Sequence, residues 1–335
     1  MWLNDYIKDL KSENTYFKYK TAIEKKINPA IGNISLCDLR VIHIEKFLIK
    51  LRKSDLSNTT VQGYLGTLNT ALNKAVKLQM ILSNPCALVD RPKRDKFKAE
   101  VLTFDELKSI YNYLDPECTY EDDIFSLALD IAVELGLRRG EMCGLEFKDI
   151  DYENSTISIN KSFIRIDKRY AISDTKTEES NRTLPISQTL LEKIKKHKQR
   201  LKRYKLQYGT LYQKAKFEGE EYDLLFRWED GSPIIPSNFL QRLKRICKNI
   251  KINKNVRWHD LRHTNATFLL KKGVNMKVVQ ERLGHSLMQT TSDTYAHVTE
   301  NMNKYATDIL ADFLYQKNLK GKLREKQGKI EKHQA

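Results

Sequence analysis

The chain has 335 residues, of which 40% are hydrophobic, and it contains only 13 glycines and 7 prolines. This composition favours two or three domains with packed cores and argues against collagen-like repeats, long disorder and loop-rich all-β folds. The 59 Lys and Arg residues outnumber the 43 Asp and Glu residues, which gives a net charge of +16. A balance of this kind favours a polyanionic partner over an acidic small molecule.

The cysteines and the apolar runs narrow the class of protein further. The five cysteines are scattered and form no CxxC pair, so the sequence indicates neither a disulfide framework nor a zinc site. No apolar run approaches the ~20 residues of a membrane span, and the N-terminus lacks the apolar stretch of a signal peptide. We therefore expect a cytoplasmic protein without a membrane segment. The common phosphate-loop, dinucleotide, zinc-protease and hydrolase motifs are also missing from the sequence.

The first ninety residues predict a compact helical bundle. Apolar residues recur at helical spacing from Trp2 to Leu10 and again from Tyr16 to Ile27, and the PAIGN segment at 29–33 is expected to break the pattern. Two more helices are expected over Val41–Lys53 and Asn58–Leu82. We assign residues 1–88 to this bundle. Residues 89–101 are assigned to a basic linker that lies along a phosphate backbone or is a solvated tether.

The second domain, assigned to residues 102–300, is predicted to mix helices with a small antiparallel β-sheet. It opens with Thr103 and Glu106 at capping-box spacing. Alternating apolar and polar residues predict strands at 156–160, 163–166 and 182–186. Helices are expected over Ile124–Leu137, from about Leu190, and over Ser237–Asn249. The predicted fold class is therefore mainly α, a helical bundle followed by a mixed, mostly helical domain.

Arginines, histidines and a tyrosine are the residues that could carry chemistry. His259 and Arg262 are three residues apart and would share one face of a helix. Arginine forks match phosphate oxygens, and a tyrosine beside such a clamp could act as a covalent nucleophile. Taken singly, each residue has a simpler interpretation: Arg138 could pair with Glu141 one turn later, and most of the 16 tyrosines must pack in cores.

Five motifs in order carry a resemblance to a known family. They are GLRRGE at 136–141, TKTEESNRTLPI at 175–186, HDLRHT at 259–264, LGHS at 283–286 and TSDTYAHV at 291–298. In type, order and separation they resemble the tyrosine recombinase (phage integrase) family. The resemblance covers roughly residues 2–316 and implies a SAM-like core-binding domain followed by a catalytic domain. It begins at the core-binding domain, so we expect either a member without an arm-binding domain or a fragment.

The resemblance implies how a DNA phosphodiester would be attacked. Tyr295 would be the nucleophile and would form a 3′-phosphotyrosine link. Arg138 and Arg262 would hold the nonbridging oxygens, and His285 would donate to the same oxygens. Because positive side chains supply the charge that a metal supplies elsewhere, the resemblance implies no metal and no other cofactor.

The resemblance also implies the proton-transfer residues. Lys176 would protonate the leaving 5′-oxygen as general acid, and His259 would assist proton transfer near the nucleophile. Glu141 would orient Arg138 or its neighbours. Lys161 and Lys168 lie close to the same strands and are the alternatives to Lys176.

The resemblance implies a site-specific recombinase that integrates and excises a mobile element. Its expected partners are double-stranded DNA recombination sites, further copies in a tetramer, and an excisionase or a DNA-bending host protein. A chromosome-dimer resolvase, a type IB topoisomerase and a DNA-binding regulator that has lost catalysis remain open as alternatives.

The end of the chain is predicted to hold protomers together. An apolar stripe at helical spacing within residues 301–316 comprises Tyr305, Ile309, Leu310, Phe313 and Leu314. The resemblance implies that this helix packs into a neighbouring protomer, whereas the alternative is that it folds back on its own domain. Residues 317–335 are predicted to be a basic tail that is disordered or follows DNA.

Overall fold

The structure is a computed structural model that describes residues 1–93, 95, 99–115, 117, 119–174 and 181–284. The chain divides into two compact units, of which the first comprises Met1–Lys98 with Arg165–Tyr170 and the second the rest. Helices dominate both units, which confirms the predicted, mainly α fold class. None of the described helices is both long and apolar enough to cross a membrane.

The first unit is a bundle of short and medium helices. Its α-helices are α1 (Trp2–Tyr6), α2 (Glu13–Ala22), α3 (Asn28–Ile31), α4 (Val41–Arg52) and α5 (Asn58–Lys77). A π-helical turn joins α2 to α3, and a 3-10 turn over Pro85–Leu88 follows α5. Ile44 and Leu48 of α4 pack with Leu65 and Leu72 of α5 in a core closed to solvent. This core is the reason that the four-residue α3 can persist beside longer helices.

Two local predictions for this unit were wrong. Pro29 was expected to break the helical pattern, but it lies in the first turn of α3, where a missing backbone N–H costs no hydrogen bond. Helix α5 was expected to continue to Leu82 and ends at Lys77. Gln79 has a left-handed backbone with φ of 59°, which cannot continue a right-handed helix.

The second unit holds the remaining helices and most of the strands. Its α-helices are α6 (Phe104–Tyr113), α7 (Tyr120–Leu135), α8 (Arg139–Cys143), α9 (Gln188–Tyr208), α10 (Pro236–Asn249), α11 (Trp258–Lys271) and α12 (Met276–Leu283). The predicted capping box is present at the start of α6, where the Thr103 hydroxyl accepts from the Glu106 amide at 3.2 Å. The Glu106 carboxylate accepts from the Thr103 amide at 2.7 Å. Both ends of the box are therefore satisfied.

The strands form small sheets. They are β1 (Ile150–Asp151), β2 (Thr156–Ile159), β3 (Lys161–Ile166), β4 (Arg169–Asp174), β5 (Arg182–Pro185), β6 (Ala215–Phe217) and β7 (Glu220–Tyr222). Strand β2 lies between β1 and β5, antiparallel to both, and pairs Ile157 with Leu184. The predicted small antiparallel sheet is thus present. Strand β3 does not join it but pairs with β4, and β6 pairs with β7.

Helix α7 is the centre of the second unit. Apolar side chains on nearly all its faces are buried, as expected of a helix inside a core. Trp258, at the start of α11, packs edge-on against Phe125 of α7 with ring centroids 5.7 Å apart. Trp258 also packs against Phe239 of α10, with ring centroids 5.4 Å apart. These aromatic contacts fix the start of α11 against α7.

His197 of α9 is buried in this unit with a hydrogen bond on one ring nitrogen only. Its Nε2 lies 2.9 Å from the Leu225 carbonyl oxygen, which can only accept, so Nε2 carries the proton. Its Nδ1 has no partner among the described residues. The ring stacks near Tyr120 and Phe147, each at 6.2 Å between centroids. Burial lowers the pKa of His197 to about 4.

His197 should therefore make folding sensitive to acid. Its pKa in the folded state lies below the ordinary value of 6.5, so the folded state resists protonation. Its contribution to stability is complete above about pH 6.5 and is lost as the pH falls towards 4. We expect that the free energy of unfolding of His197→Gln falls less over this interval than that of the parent, by up to about 3 kcal/mol. Urea unfolding at pH 7 and pH 4.5 measures this, and equal losses in both proteins would contradict it.

Candidate active site

A sharp turn after helix α7 places Arg138. Gly136 ends α7 in the left-handed region with φ of 63°, a conformation that glycine adopts without strain. A Cβ atom at this position would lie 2.7 Å from the Leu283 side chain and 2.9 Å from the Asn265 amide oxygen. Glycine is therefore required both by the backbone and by the close approach of α11 and α12. Two residues later Arg138 occupies the N-cap position of α8.

Arg138 and Glu141 hold each other in a capping box. The Arg138 backbone amide donates to the Glu141 carboxylate at 2.9 Å, and the Arg138 guanidinium donates to the other carboxylate oxygen at 2.6 Å. A second guanidinium nitrogen donates to the Gly284 carbonyl oxygen at 3.0 Å. The Arg138 side chain remains 38% exposed, so a ligand in solvent can reach it. The ion pair that the spacing of Arg138 and Glu141 suggested is thus present, and it leaves the Arg138 side chain accessible to solvent.

Glu141 is a buried carboxylate that stays charged. Burial by itself would raise its pKa, but the ion pairs with Arg182 and Arg138 outweigh that effect and lower the pKa below its ordinary value. The Arg182 guanidinium donates a 2.9 Å hydrogen bond to the carboxylate oxygen that also accepts from the Arg138 backbone amide. Glu141 therefore bridges two guanidinium groups, and the buried charge is paired on both sides.

Arg262 is almost completely buried and binds the ends of two helices. It lies on α11 with 1% of its surface exposed. Its guanidinium donates to the Gly136 carbonyl oxygen at 2.9 Å and to the Leu283 carbonyl oxygen at 2.6 Å. These carbonyls belong to the C-terminal ends of α7 and α12, where helices leave acceptors unpaired and favour a cation. Arg262 and Arg138 thus bind the carbonyls of consecutive residues, Leu283 and Gly284.

The start of α11 is fixed by a buried carboxylate. Asp260 is closed to solvent and accepts from the Arg257 backbone amide at 2.8 Å and from the Arg257 guanidinium at 2.7 Å. One turn later the Thr264 hydroxyl donates to the Asp260 carbonyl oxygen at 2.8 Å and accepts from the Leu102 amide at 3.1 Å. These bonds set the rotation of α11 and so the direction of His259 and Arg262.

His259 lies beside these cations in its neutral form. It is exposed along one side, while its ring packs perpendicular to that of His263 with centroids 5.0 Å apart. Burial lowers the pKa of His259 to about 4, and the neighbouring side chains of His263, Arg262 and Arg138 contribute to the same shift. At neutral pH its ring therefore has a free nitrogen that can accept a proton.

The structure brings four of the sequence-predicted residues together and does not describe the rest. Arg138, Glu141, Arg262 and His259 form one cluster through the contacts above. The other three candidates, Lys176, His285 and Tyr295, lie outside the described residues, and so do residues 301–335. Lys161, one alternative to Lys176, is ion-paired with Glu146 and, at 3.4 Å, with Asp149.

One residue of the cluster was not singled out from the sequence. Arg182 begins β5, and its guanidinium contacts Glu141 at 2.9 Å and the Arg282 carbonyl oxygen at 2.7 Å. Its position within the NRTLPI segment was the signal available in the sequence.

No group of metal-binding side chains is found within the described ranges. The cluster presents guanidinium and imidazole groups to a ligand, and these groups are suited to an anion such as a phosphate diester.

Comparison with known proteins supports the resemblance seen in the motifs. Residues 100–302 match the phage integrase family, and residues 1–52 match the phage integrase N-terminal SAM-like domain. The chain is 30% identical to a tyrosine recombinase of Thermosipho africanus, over 89% of this chain and 94% of that one. It is 28% identical to the ICEBs1 integrase of Bacillus subtilis, over 90% of this chain and 78% of that one.

Solved structures share the fold. The Tn1549 transposon integrase in complex with transposon right end DNA superposes with a TM-score of 0.75 at 22% identity, covering 90% of this chain and 95% of that one. A lambda integrase tetramer bound to a Holliday junction gives a TM-score of 0.63 at 19% identity, covering 84% of this chain and 72% of that one. Motifs, family matches and fold agree, and the chain belongs to the phage integrase family, the tyrosine-type site-specific DNA recombinases.

Proposed function

We propose that this recombinase cuts and rejoins DNA through a covalent link to Tyr295, with the scissile phosphate held by Arg138 and Arg262. The observation that carries the proposal is the pair of hydrogen bonds from these arginines to the consecutive carbonyls of Leu283 and Gly284. Residue 285 follows directly in the sequence, and it is the proposed third donor to the phosphate, His285. One short segment therefore connects all three phosphate-binding residues.

Two charges near one phosphate suit the chemistry of strand cleavage. Attack on a phosphodiester builds negative charge on the nonbridging oxygens, and preorganised donors at those oxygens lower the barrier. Arg138 is open to solvent, whereas Arg262 is fixed by two carbonyls behind the site. We assign the first contact with the phosphate to Arg138 and a rigid, buried charge to Arg262.

Three further roles complete the proposed mechanism. The neutral ring of His259 accepts the proton that the Tyr295 hydroxyl releases. The Tyr295 oxygen forms a bond to phosphorus while the bond between phosphorus and the 5′-oxygen breaks, and Lys176 donates a proton to that leaving oxygen. Glu141 orients Arg138 through the 2.6 Å hydrogen bond between them. Because one P–O bond replaces another, the proposed mechanism requires no nucleotide.

We further propose that the reaction integrates and excises a mobile element. Relatives at 28% identity that bear the names ICEBs1 integrase and integrase of Staphylococcus phage L54a favour this role. In this proposal residues 1–88 bind DNA, residues 89–101 link them to the catalytic residues 102–300, and protomers assemble as a tetramer on DNA in the cytoplasm. An excisionase or a DNA-bending protein would set the direction. Chromosome-dimer resolution is the second candidate, because other relatives of similar identity are named tyrosine recombinase with no mention of a phage or an element.

Cleavage without metal or nucleotide tests this function. The probe is a nicked duplex that carries the sequence selected by this chain from a random library, called here the selected-site duplex. We expect a covalent protein–DNA adduct in excess EDTA and without ATP, because side chains supply the positive charge. A strict requirement for Mg²⁺ or for a nucleotide would overturn the proposal. Recombination between two ends of an element, but not between two copies of one chromosomal site, would separate integrase from resolvase.

Truncation before Met302 tests the proposed exchange between protomers. If the apolar stripe of residues 301–316 packs into a neighbour, the truncated chain should bind one half-site as the full chain does. It should lose cooperative binding of two half-sites and strand exchange. Gel-shift stoichiometry and a recombination assay measure the two effects. Unchanged cooperativity with full recombination would show that the segment packs within its own protomer.

A further inference from the structure

Arg182 lies at the point where three segments of the candidate site meet. Its side chain, on the first residue of β5, is only 7% exposed. One guanidinium nitrogen binds Glu141 at 2.9 Å, while the Nε atom binds the Arg282 carbonyl oxygen at 2.7 Å. A Cβ atom on Gly284 would lie 3.0 Å from another nitrogen of the same guanidinium. Arg182 therefore packs against both supports of Arg138, its carboxylate and its carbonyl.

We infer that Arg182 is a positioning residue that sets the geometry of Arg138 and Arg262 from behind. Through Glu141 it fixes the carboxylate that binds Arg138 at 2.6 Å. Through the Arg282 carbonyl it fixes the end of α12. The next two carbonyls, of Leu283 and Gly284, accept from Arg262 and Arg138. The inference rests on the proposed function in one respect, which is that Arg138 and Arg262 bind the scissile phosphate.

A guanidinium is needed at position 182 because its two partners, the Glu141 carboxylate and the Arg282 carbonyl oxygen, lie in different directions. The fork of arginine can bind a carboxylate with one edge and a carbonyl with its Nε, in one fixed plane. A lysine at 182 has a single charged nitrogen, which can replace the ion pair with Glu141 but cannot also hold the Arg282 carbonyl. An uncharged side chain would leave Glu141 paired with Arg138 alone, in a buried setting where lost partners are costly.

The expected result is a loss of cleavage rate without a matching loss of DNA binding. Arg182→Met should slow single-turnover adduct formation on saturating selected-site duplex about 100-fold, because a small misplacement of a catalytic group has effects of this size. Arg182→Lys should restore part of the rate. The Kd for the duplex should stay within about threefold of the parent, since phosphate contacts across the whole interface determine affinity.

Arg242→Met is the matched control for a purely structural role. Arg242 of α10 is also a poorly exposed arginine, and it pairs with Asp122 and Glu121 near the start of α7. Asp122 is 14 residues from Gly136, which corresponds to roughly 20 Å along a helix. Both variants lose a buried ion pair, so the midpoint temperature of thermal unfolding should fall in both. Only Arg182→Met should lose rate at a temperature where each variant is fully folded.

A double variant tests the path through Glu141. If Arg182 acts through that carboxylate, Arg182→Met combined with Glu141→Gln should be no more than about threefold slower than the slower single variant. Equal rates for Arg182→Met and Arg242→Met would overturn the inference, and multiplied effects in the double variant would overturn the part of it that runs through Glu141. Absence of adduct in the parent chain would instead count against the proposed function, so the two failures can be told apart.

Discussion

Tyr295→Phe should abolish covalent protein–DNA adducts while the variant continues to bind the selected-site duplex. The substitution removes one hydroxyl group and no charge, so the phosphate contacts that determine affinity remain. Without the hydroxyl there is no oxygen to attack phosphorus, and the reaction has no alternative covalent path. We expect adduct to fall below detection in denaturing gels, with a Kd within about twofold of the parent.

Tyr305→Phe is the matched control for this variant. It makes the same change ten residues further along the chain, in the apolar stripe of residues 301–316. Phenylalanine keeps the apolar character of the stripe, so cleavage should persist at nearly the parent rate. Adduct that survives in Tyr295→Phe and disappears in Tyr305→Phe would show that the nucleophile has been assigned to the wrong residue.

Arg138→Ala should lower the cleavage rate by about 10²–10³, which corresponds to about 2.7–4 kcal/mol of barrier. The arginine is 38% exposed and already held by Glu141, so it is oriented before DNA arrives. Preorganised donors of this kind stabilise the charge of a transition state without a cost of reorganisation. Single-turnover adduct formation on saturating duplex measures the effect.

Arg200→Ala is the control for loss of a partly exposed arginine. Arg200 is 34% exposed and pairs with Asp123 at 2.8 Å near the start of α7, far from Gly136 at the other end of that helix. Its removal should change the cleavage rate by less than about threefold, because exposed ion pairs contribute little to stability and this one is remote from the cluster. Equal losses in the two variants would mean that Arg138 contributes general charge and no specific contact with the phosphate.

The sequence predicted the parts of the site that depend on local pattern. His259 and Arg262 share α11, as their spacing of three predicted. The mainly α fold also followed from periodicity. Helix ends were less predictable: Leu137 was expected inside α7, but the left-handed Gly136 ends the helix at Leu135.

Contacts between residues far apart in the sequence could not be predicted from the pattern of residue types. Arg182 reads as one more basic residue at the start of a strand, and only folding brings it 2.9 Å from Glu141, 41 positions earlier. The same limit applies to sheet partners, since strands β2 and β3 have similar alternation but join different sheets. Alternation predicts that a segment is a strand and which face it buries, whereas its partner depends on tertiary packing.

Mapping the covalent bond between protein and DNA shows directly whether Tyr295 is the nucleophile. The parent chain is reacted with selected-site duplex, the adduct is digested with protease and nuclease, and the modified peptide is sequenced by mass spectrometry. We expect a single nucleotide joined through its 3′-phosphate to Tyr295 within the sequence TSDTYAHV. A nucleotide on any other residue, or attached through a 5′-phosphate, would contradict this assignment.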